Sequence, residues 1–320
     1  MHSPVYRLAS LMVCLLALAA CSSAPPGTPT PAPTPGGPNA PLPFTGTLTL
    51  EDYDWFAVNP WLGVTELALP SGQKTRVLDG VYPWRHPGGK VVFAQGCGED
   101  VNRVAIAEDG LITPVTPCSS EIPNPGVSPT SFEFSRLSPD EQRVAAEAQY
   151  FLDGEFRYDT LVFDLAGQVL VRYEGAVAPA WLPDGRLLLV GSGVNGVYRT
   201  DAGLQNPVRI DGGQLNGPVG NLDVNPAGTL AALEYNQQIW LLDLATGAVR
   251  EFVSGDRRLR YPTFSPDGAA LAYLATSQGD RYDPAVYFTD LATGTAYALP
   301  YPAEPGNVSN VPNGPLSWTR

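Results

Sequence analysis

Few side chains of this 320-residue chain have the types and spacing that activate a nucleophile or bind a transition metal. After the N-terminal apolar segment there is one histidine, His86, beside a Pro-Gly-Gly turn. Serine–histidine and cysteine–histidine catalysis need a histidine oriented by a third group, and zinc sites need several histidine or cysteine ligands. The residue types therefore argue against a catalytic triad and against a zinc site.

Acidic and amide side chains suit a different chemistry, the binding of a hard cation through oxygen. Asn221 and Asp223 lie close together in the sequence, and Ca²⁺ accepts such ligands. The chain carries 32 Asp and Glu against 19 Lys and Arg, a net charge of −13, and solvated turn carboxylates explain this excess equally well. The same balance excludes a nucleic-acid binder, which needs basic side chains to neutralise phosphates.

Cys21 is the residue best placed for covalent modification. Residues 8–20 (LASLMVCLLALAA) follow Arg7 and are too few to span a bilayer, so residues 1–20 are typical of a secretory signal peptide. Leu18-Ala-Ala-Cys21 resembles the lipobox of bacterial lipoproteins, in which the cysteine is acylated and the chain is cut before it. Ordinary cleavage after Ala19 fits the small-residue rule as well. We expect acylated Cys21 to anchor the chain in the cell envelope, and Ser22, where an aspartate would favour the inner membrane, favours the outer membrane facing the periplasm.

A proline-rich tether, residues 21–43, follows the signal peptide. Residues 22–43 contain nine prolines and no charged side chain. Such a composition cannot bury enough apolar surface to fold and favours an extended chain. At about 3.1 Å per residue, it would hold the rest of the protein up to roughly 70 Å from the membrane.

Residues 44–320 repeat one pattern. The segments 261–268 (YPTFSPDG) and 178–185 (APAWLPDG) are two copies, with turn prolines at 87, 139, 183, 226 and 266. A strand-like run follows each, and a second turn comes half a repeat later, as in Asp243-Leu-Ala-Thr-Gly247. Each unit therefore predicts four strands, a to d, joined by tight a–b and c–d turns, which is the blade of a β-propeller.

The number of turns predicts how the ring closes. Six c–d turns but only five a–b turns are visible, so one blade must be divided between the chain ends. Residues 316–320 (LSWTR) match the a-strand pattern, and we expect them to complete a first blade whose b, c and d strands come from residues 54–78. The expected fold is all-β: a six-bladed propeller with about 46 residues per blade, closed by the C-terminal strand.

The repeat resembles that of a known family. The pattern of an aromatic residue, Ser-Pro-Asp-Gly, a strand and Asp-Leu-Ala-Thr-Gly resembles the repeats of the TolB-type propeller, a periplasmic component of the Tol–Pal envelope system. The resemblance covers residues 44–320 and is sharpest in blades 4 to 6. It implies the propeller fold, whereas the separate N-terminal α/β domain of that family has no counterpart in the proline-rich segment. A shared fold does not imply a shared function.

The length of the connections distinguishes the two rims of the predicted ring. The a–b and c–d turns form a short-turn rim, and the longer b–c and d–a connections form a long-loop rim, where binding residues are expected. Loops of opposed blades 3 and 6 carry the same tripeptide, Arg157-Tyr158-Asp159 and Arg281-Tyr282-Asp283. These residues are candidate contacts for a partner, although repeat ancestry or a shared turn preference explains the tripeptide too. The short-turn rim is expected to be inert.

Cys97 and Cys118 are expected at the ends of strands b and d of blade 2. Both ends lie on the long-loop rim about two strand spacings apart, near 10 Å, and curling loops could bring the residues within disulfide range. Export to an oxidising compartment permits the bond, and two free thiols are the alternative.

Two functions remain open. The first is a tethered binding or scaffold module that contacts an envelope protein or a peptidoglycan-associated partner and has no catalytic residues. The second is a metal-dependent enzyme of hydrolase or lactonase type, with Ca²⁺ in the central channel near Asn221 and Asp223.

Overall fold

The computed structural model describes Thr30–Pro31 and residues 42–54, 61–98, 101–122, 129–191, 195–276, 285–301 and 311–320. Within these ranges a 3₁₀ turn spans Ser119–Glu121. The strands, in chain order, are β1 (Thr30–Pro31), β2 (Gly46–Asp54), β3 (Trp61–Leu69), β4 (Gln73–Asp79), β5 (Val81–Arg85), β6 (Val91–Gly98), β7 (Val101–Glu108), β8 (Leu111–Pro114), β9 (Ser131–Leu137), β10 (Arg143–Leu152), β11 (Glu155–Asp164), β12 (Val169–Glu174), β13 (Ala176–Trp181), β14 (Leu187–Gly191), β15 (Val197–Arg199), β16 (Val208–Arg209), β17 (Val219–Val224), β18 (Leu230–Tyr235), β19 (Gln238–Asp243), β20 (Val249–Ser254), β21 (Arg258–Phe264), β22 (Ala270–Thr276), β23 (Ala285–Asp290), β24 (Ala296–Pro300) and β25 (Val311–Thr319).

These strands form a six-bladed β-propeller, as the sequence predicts. Blades 2, 3, 4 and 6 are the antiparallel sheets β5–β8, β9–β12, β13–β16 and β21–β24, and blade 5 is β17–β20 with β1 added at its outer edge. Blade 1 runs β25-β2-β3-β4. The inner strands β25, β5, β9, β13, β17 and β21 contact one another in this cyclic order, which closes the ring around a central channel.

Turn chemistry explains why the repeat folds into hairpins. Asp243 Oδ1 accepts hydrogen bonds from the N–H groups of Ala245 (3.0 Å) and Thr246 (2.7 Å), and Asp290 makes the equivalent bonds one blade later. Gly247 closes the turn at a φ of 74°, in the left-handed region that glycine adopts without strain. These hydrogen bonds lower the pKa of Asp243 below its usual value.

Hydrophobic clusters lie between neighbouring blades. Six clusters are found among the described residues, one at each junction of the ring. At the junction of blades 5 and 6, for example, Leu241 and Phe252 pack against Tyr273 and Tyr287. Each blade therefore buries both of its faces against its neighbours.

The C-terminal strand closes the ring in blade 1, as the sequence predicts, but the strands of that blade have other bounds than predicted. Strand β25 pairs with β2, with Thr47 opposite Thr319 and Leu48 opposite Trp318. The b strand of blade 1 therefore begins at Gly46, so its predicted start at residue 54 was wrong. Alternation in Thr-Leu-Thr-Leu (47–50) carried the missing signal, since Leu48 and Leu50 are fully buried.

Candidate functional site

A cavity of about 510 Å³ opens at the centre of the short-turn rim. The last residues of all six inner strands and the turns that follow them line its wall. Aromatic rings supply much of this wall, from Trp84, Trp181, Phe264 and Trp318. Trp181 and Phe264 are the aromatic residues two positions before the turn proline, so the repeat that builds the blades also lines the mouth of the channel.

An ion pair between a buried arginine and a half-buried aspartate spans the channel in the wall of this cavity. Arg136 of blade 3 is 7% exposed, and its Nη1 lies 3.3 Å from Asp223 Oδ1 of blade 5. Its guanidinium also lies over the Trp84 ring, with the Cζ atom 5.3 Å from the ring centroid. Asp223 Oδ2 accepts hydrogen bonds from Thr263 Oγ1 (3.1 Å) and the Phe264 N–H (2.9 Å). Burial lowers the pKa of Arg136, and the Asp223 carboxylate opposes that shift.

Aromatic rings meet in the channel beyond this ion pair. The ring centroid of Phe134 lies 5.3 Å from that of Tyr82 and 6.2 Å from that of Tyr261. Phe134 and Tyr261 belong to opposed blades 3 and 6, so their contact crosses the channel axis. All three residues have positive φ, between 44° and 53°, at the β-bulge of their inner strands. The cavity is therefore a recess with a floor rather than an open pore.

Buried glutamates hold the inner-strand bulges at Tyr82, Ala178 and Tyr261. The N–H of Tyr82 donates to Glu51 Oε2 (3.0 Å), that of Ala178 to Glu147 Oε2 (2.9 Å), and that of Tyr261 to Glu234 Oε1 (2.6 Å). Each carboxylate comes from the second strand of the preceding blade.

Glu147 is a buried carboxyl group whose pKa is far above its usual value. Burial raises its pKa to about 8, the nearby charge of Glu133 adds to the shift, and the Ala178 N–H opposes it. Burial also raises the pKa of Glu234 and of Glu133.

The residues considered for metal binding are occupied by protein contacts. Asp223 bonds to Arg136, Thr263 and Phe264 as above, and Asn221 Nδ2 donates to Glu234 Oε1 at 3.0 Å. Among the described residues, no three His, Cys, Asp or Glu side chains are grouped so that they could hold a metal ion.

His86 lines the cavity but is held by its own turn. Its Nδ1 accepts a hydrogen bond from the Gly88 N–H (2.9 Å) and lies 3.1 Å from Glu141 Oε1. Burial lowers the pKa of His86, more than the Glu141 carboxylate raises it. A neutral imidazole with its Nδ1 engaged shapes the turn.

The Arg-Tyr-Asp tripeptide of blade 3 lies in a strand, so its assignment to a loop was wrong. Arg157, Tyr158 and Asp159 belong to β11, because the chain reverses in a tight turn at Asp153-Gly154. Asp159 is buried, where it lies 2.6 Å from Arg172 Nη2 and accepts a hydrogen bond from Gly175 N (2.9 Å).

The other two members of the tripeptide differ in exposure. Tyr158 is half-buried and its hydroxyl accepts a hydrogen bond from Gln149 Nε2 (3.0 Å), whereas Arg157 is exposed. Arg281, Tyr282 and Asp283 lie outside the described residues.

The blade 3 hairpin instead presents an aromatic pair at the long-loop rim. Phe151 and Phe156 stand opposite one another near its tip, 52% and 58% exposed, with ring centroids 5.1 Å apart. These two rings form an accessible apolar surface that the tripeptide alone did not indicate.

Cys97 and Cys118 are joined by a disulfide, with Cα atoms 6.3 Å apart. Cys97 lies near the end of β6, and Cys118 precedes the 3₁₀ turn that follows β8. Formation of this bond in the exported protein stays a prediction. Cys21 lies outside the described residues, and within the described ranges no helix is long and apolar enough to cross a membrane.

Comparison with known proteins finds relatives by structure alone. No protein-family model matches the chain, and no curated protein matches it. The putative TolB of Agrobacterium tumefaciens is 15% identical over 80% of this chain and 88% of its own, with a TM-score of 0.51. TolB of Acinetobacter baumannii is 15% identical over 86% and 83%, with a TM-score of 0.49.

A hydrazine synthase of Kuenenia stuttgartiensis is 11% identical over 84% of this chain and 47% of its own, with a TM-score of 0.58. At such identities the likeness concerns the fold, because propellers of one architecture carry many activities. The chain is a six-bladed β-propeller similar in structure to TolB proteins, which confirms the fold that the repeat indicates.

Proposed function

We propose that this chain is a lipid-anchored protein of the bacterial cell envelope whose propeller binds a partner and performs no chemistry on it. The observation that carries the proposal is the cavity at the short-turn rim, which all six blades line and which has a floor. Rigid, largely apolar recesses with a few polar groups are the usual form of binding sites.

The polar groups of this recess favour binding over catalysis. Arg136 and Asp223 neutralise each other across the channel. Arg85 pairs with Glu66 and donates to Thr49 Oγ1 (3.2 Å) and Gly89 O (2.9 Å). A general acid or base must be free to exchange a proton with a substrate, and these groups are engaged. The metal-dependent alternative has no observation in its favour among the described residues.

The proposed partner is an envelope protein or a peptidoglycan-associated component. The sequence around Cys21 supports export and acylation, and the acidic chain, with a net charge of −13, is unsuited to nucleic acid. An outer-membrane anchor facing the periplasm would place the cavity where such partners occur. The partner would insert a protruding group between the aromatic side chains Trp84 and Trp318.

Site-specific photo-crosslinking tests both the binding and its location. A photoreactive residue is placed in turn at Arg320, an exposed part of the cavity wall, at Phe156 on the long-loop rim, and at Val208 on the outer edge of blade 4, which is 63% exposed. Irradiation of intact cells should give a discrete adduct from Arg320 and none from the Val208 control. Adducts from Phe156 alone would place the partner on the long-loop rim instead, and equal or absent adducts at all three positions would refute the proposal.

A further inference from the structure

Blade 5 differs from the other blades in having a fifth strand. Thr30 and Pro31 of the N-terminal tether pair in parallel with Val253 and Ser254 of β20, the outermost strand of that blade. The partner segment belongs to the same chain but precedes blade 5 by more than 180 residues. The outer edge of blade 5 thus accepts an added strand, and the tether supplies it.

The sequence around Thr30 suits one-sided pairing. Proline stands at every second position from Pro29 to Pro35, with threonine or alanine between. In an extended chain successive residues direct their N–H groups to opposite sides, so alternate prolines remove the N–H groups of one side only. The side that includes Thr30 keeps its donors and can pair with a sheet edge. The other side lacks donors, as at strand edges that must not recruit a further strand.

We propose that the outer edge of blade 5 is a strand-addition site whose resident occupant is the Thr30–Pro31 part of the tether. Main-chain hydrogen bonds give such sites their affinity, and here the occupant is tethered, so its effective concentration at the edge is high. Pairing in this way leaves blade 5 with a proline-blocked outer edge.

Occupation of the site also fixes how the propeller stands relative to its anchor, a consequence that rests on the proposed acylation of Cys21. Thr30 lies nine positions after Cys21, which at about 3.1 Å per residue limits the distance between them to roughly 28 Å. The unpaired tether would allow roughly 70 Å. Blade 5 is therefore the flank held toward the membrane, and blade 2, on the opposite side of the ring, is turned away from it.

Disulfide trapping in the full chain tests the pairing directly. Paired residues of adjacent strands lie about 4.8 Å apart, within the range of a disulfide, so P31C combined with S254C should crosslink under mild oxidation. The matched control combines P31C with E251C, three residues along β20 and about 10 Å away. Mapping by mass spectrometry should find the first crosslink in most molecules and the second in few. Equal yields, or no crosslink in either variant, would overturn the proposal.

Hydrogen exchange gives a second test that keeps residue 31 native. T30P removes the N–H that faces β20, whereas P31A adds an N–H on the far side and serves as control. Amides of β20 should exchange about tenfold faster in T30P, because one or two hydrogen bonds at the edge are lost, and should be unchanged in P31A. Unchanged exchange in T30P would refute the pairing.

The orientation of the propeller relative to the membrane is measured in a separate experiment, so that a wrong orientation can be distinguished from a wrong strand pairing. A fluorophore at R250C on blade 5 or at L111C on blade 2 is compared on vesicles of phosphatidylethanolamine and phosphatidylglycerol that carry an acceptor lipid. Energy transfer should be stronger from the blade 5 position, and T30P should reduce the difference. If P31C and S254C crosslink but energy transfer is equal from the two positions, the strand-addition site stands and the anchor at Cys21 is contradicted.

Discussion

Glu147 is one of the buried residues through which the interior of the propeller should respond to pH. Glu147 is 6% exposed, its carboxyl group accepts a hydrogen bond from the Ala178 N–H, and the residue stands opposite Glu133 on the neighbouring strand. Glutamine has the same shape, keeps an acceptor for that N–H and carries no charge. E147Q therefore reproduces the neutral form of Glu147 at every pH.

The sign and size of the effect follow from the raised pKa. Burial raises the pKa of Glu147 from 4.5 to about 8, so the folded protein binds a proton that the unfolded chain releases above pH 4.5. The stabilisation by this proton is fully present below pH 4.5 and is lost as pH rises toward 8. A shift of this size corresponds to about 5 kcal/mol over the window, an upper bound because the surroundings relax. At pH 7 the loss would be roughly 3 kcal/mol.

Urea unfolding of wild type and E147Q at intervals between pH 4.5 and 8.5 measures this loss. Tryptophan fluorescence and far-ultraviolet circular dichroism should give coincident transitions, which justifies a two-state free energy. We expect the free energy of unfolding of E147Q relative to wild type to rise by roughly 3 kcal/mol between pH 4.5 and 7. The exposed Glu155, replaced by glutamine, is the matched control and should give parallel curves. If E147Q also runs parallel to wild type, the carboxyl is charged in the folded protein and the reasoning fails.

Three other outcomes are expected. Metabolic labelling with a fatty-acid analogue should mark the wild-type protein and not Cys21→Ala, which should be released in soluble form; label that survives the substitution would contradict the anchor. Alkylation of unreduced, native-source protein should leave its intact mass unchanged, and replacing both Cys97 and Cys118 by serine should lower the free energy of unfolding by about 3 kcal/mol; two alkylated cysteines would exclude the bond. R136M should lower the free energy of unfolding by about 3 kcal/mol, and R136M with D223N by less, because the second change removes a carboxylate left without its cation; additive losses in urea unfolding would argue against the pair.

The fold could be predicted from the sequence because its turn residues recur at regular intervals. Turn prolines such as Pro183 and Pro266 and the Asp-Leu-Ala-Thr-Gly turns mark hairpins whose chemistry is local, and local chemistry can be read from neighbouring residues. The boundary of β2 was missed because its strand lies ahead of the first such turn. The alternation of Leu48 and Leu50 is a weaker signal than a turn, and it becomes distinctive only once β25 is known to pair beside it.

The candidate site was harder to predict from the sequence because it depends on contacts between blades that are distant in the chain. Loop length favoured the long-loop rim, yet the cavity lies at the rim with the shorter turns, where inner strands converge. Arg136 and Asp223 are 87 residues apart, and nothing near either residue indicates the other. The blade 3 tripeptide was assigned to a loop although it lies in a strand. The alternation of hydrophobic residues continues through Asp159, and this pattern is typical of a strand. Asp159 holds Arg172 and Gly175 in place, and a role of Arg157 and Tyr158 in binding a partner stays a prediction.

The buried glutamates connect the repeat with the shape of the channel. Glu51, Glu147 and Glu234 occupy the same position of strand b in blades 1, 3 and 5, and strand b of the intervening blades carries Ala94, Val190 and Leu274 there. Each glutamate accepts the N–H that a bulge in the next blade has released from its ladder, so blades are coupled in pairs. At Tyr82 and Tyr261 this coupling holds a bulky residue at positive φ, a costly conformation, with its ring against Phe134 in the channel. The floor of the cavity is therefore fixed by hydrogen bonds between blades, which makes the recess a preformed site rather than one that a ligand must open.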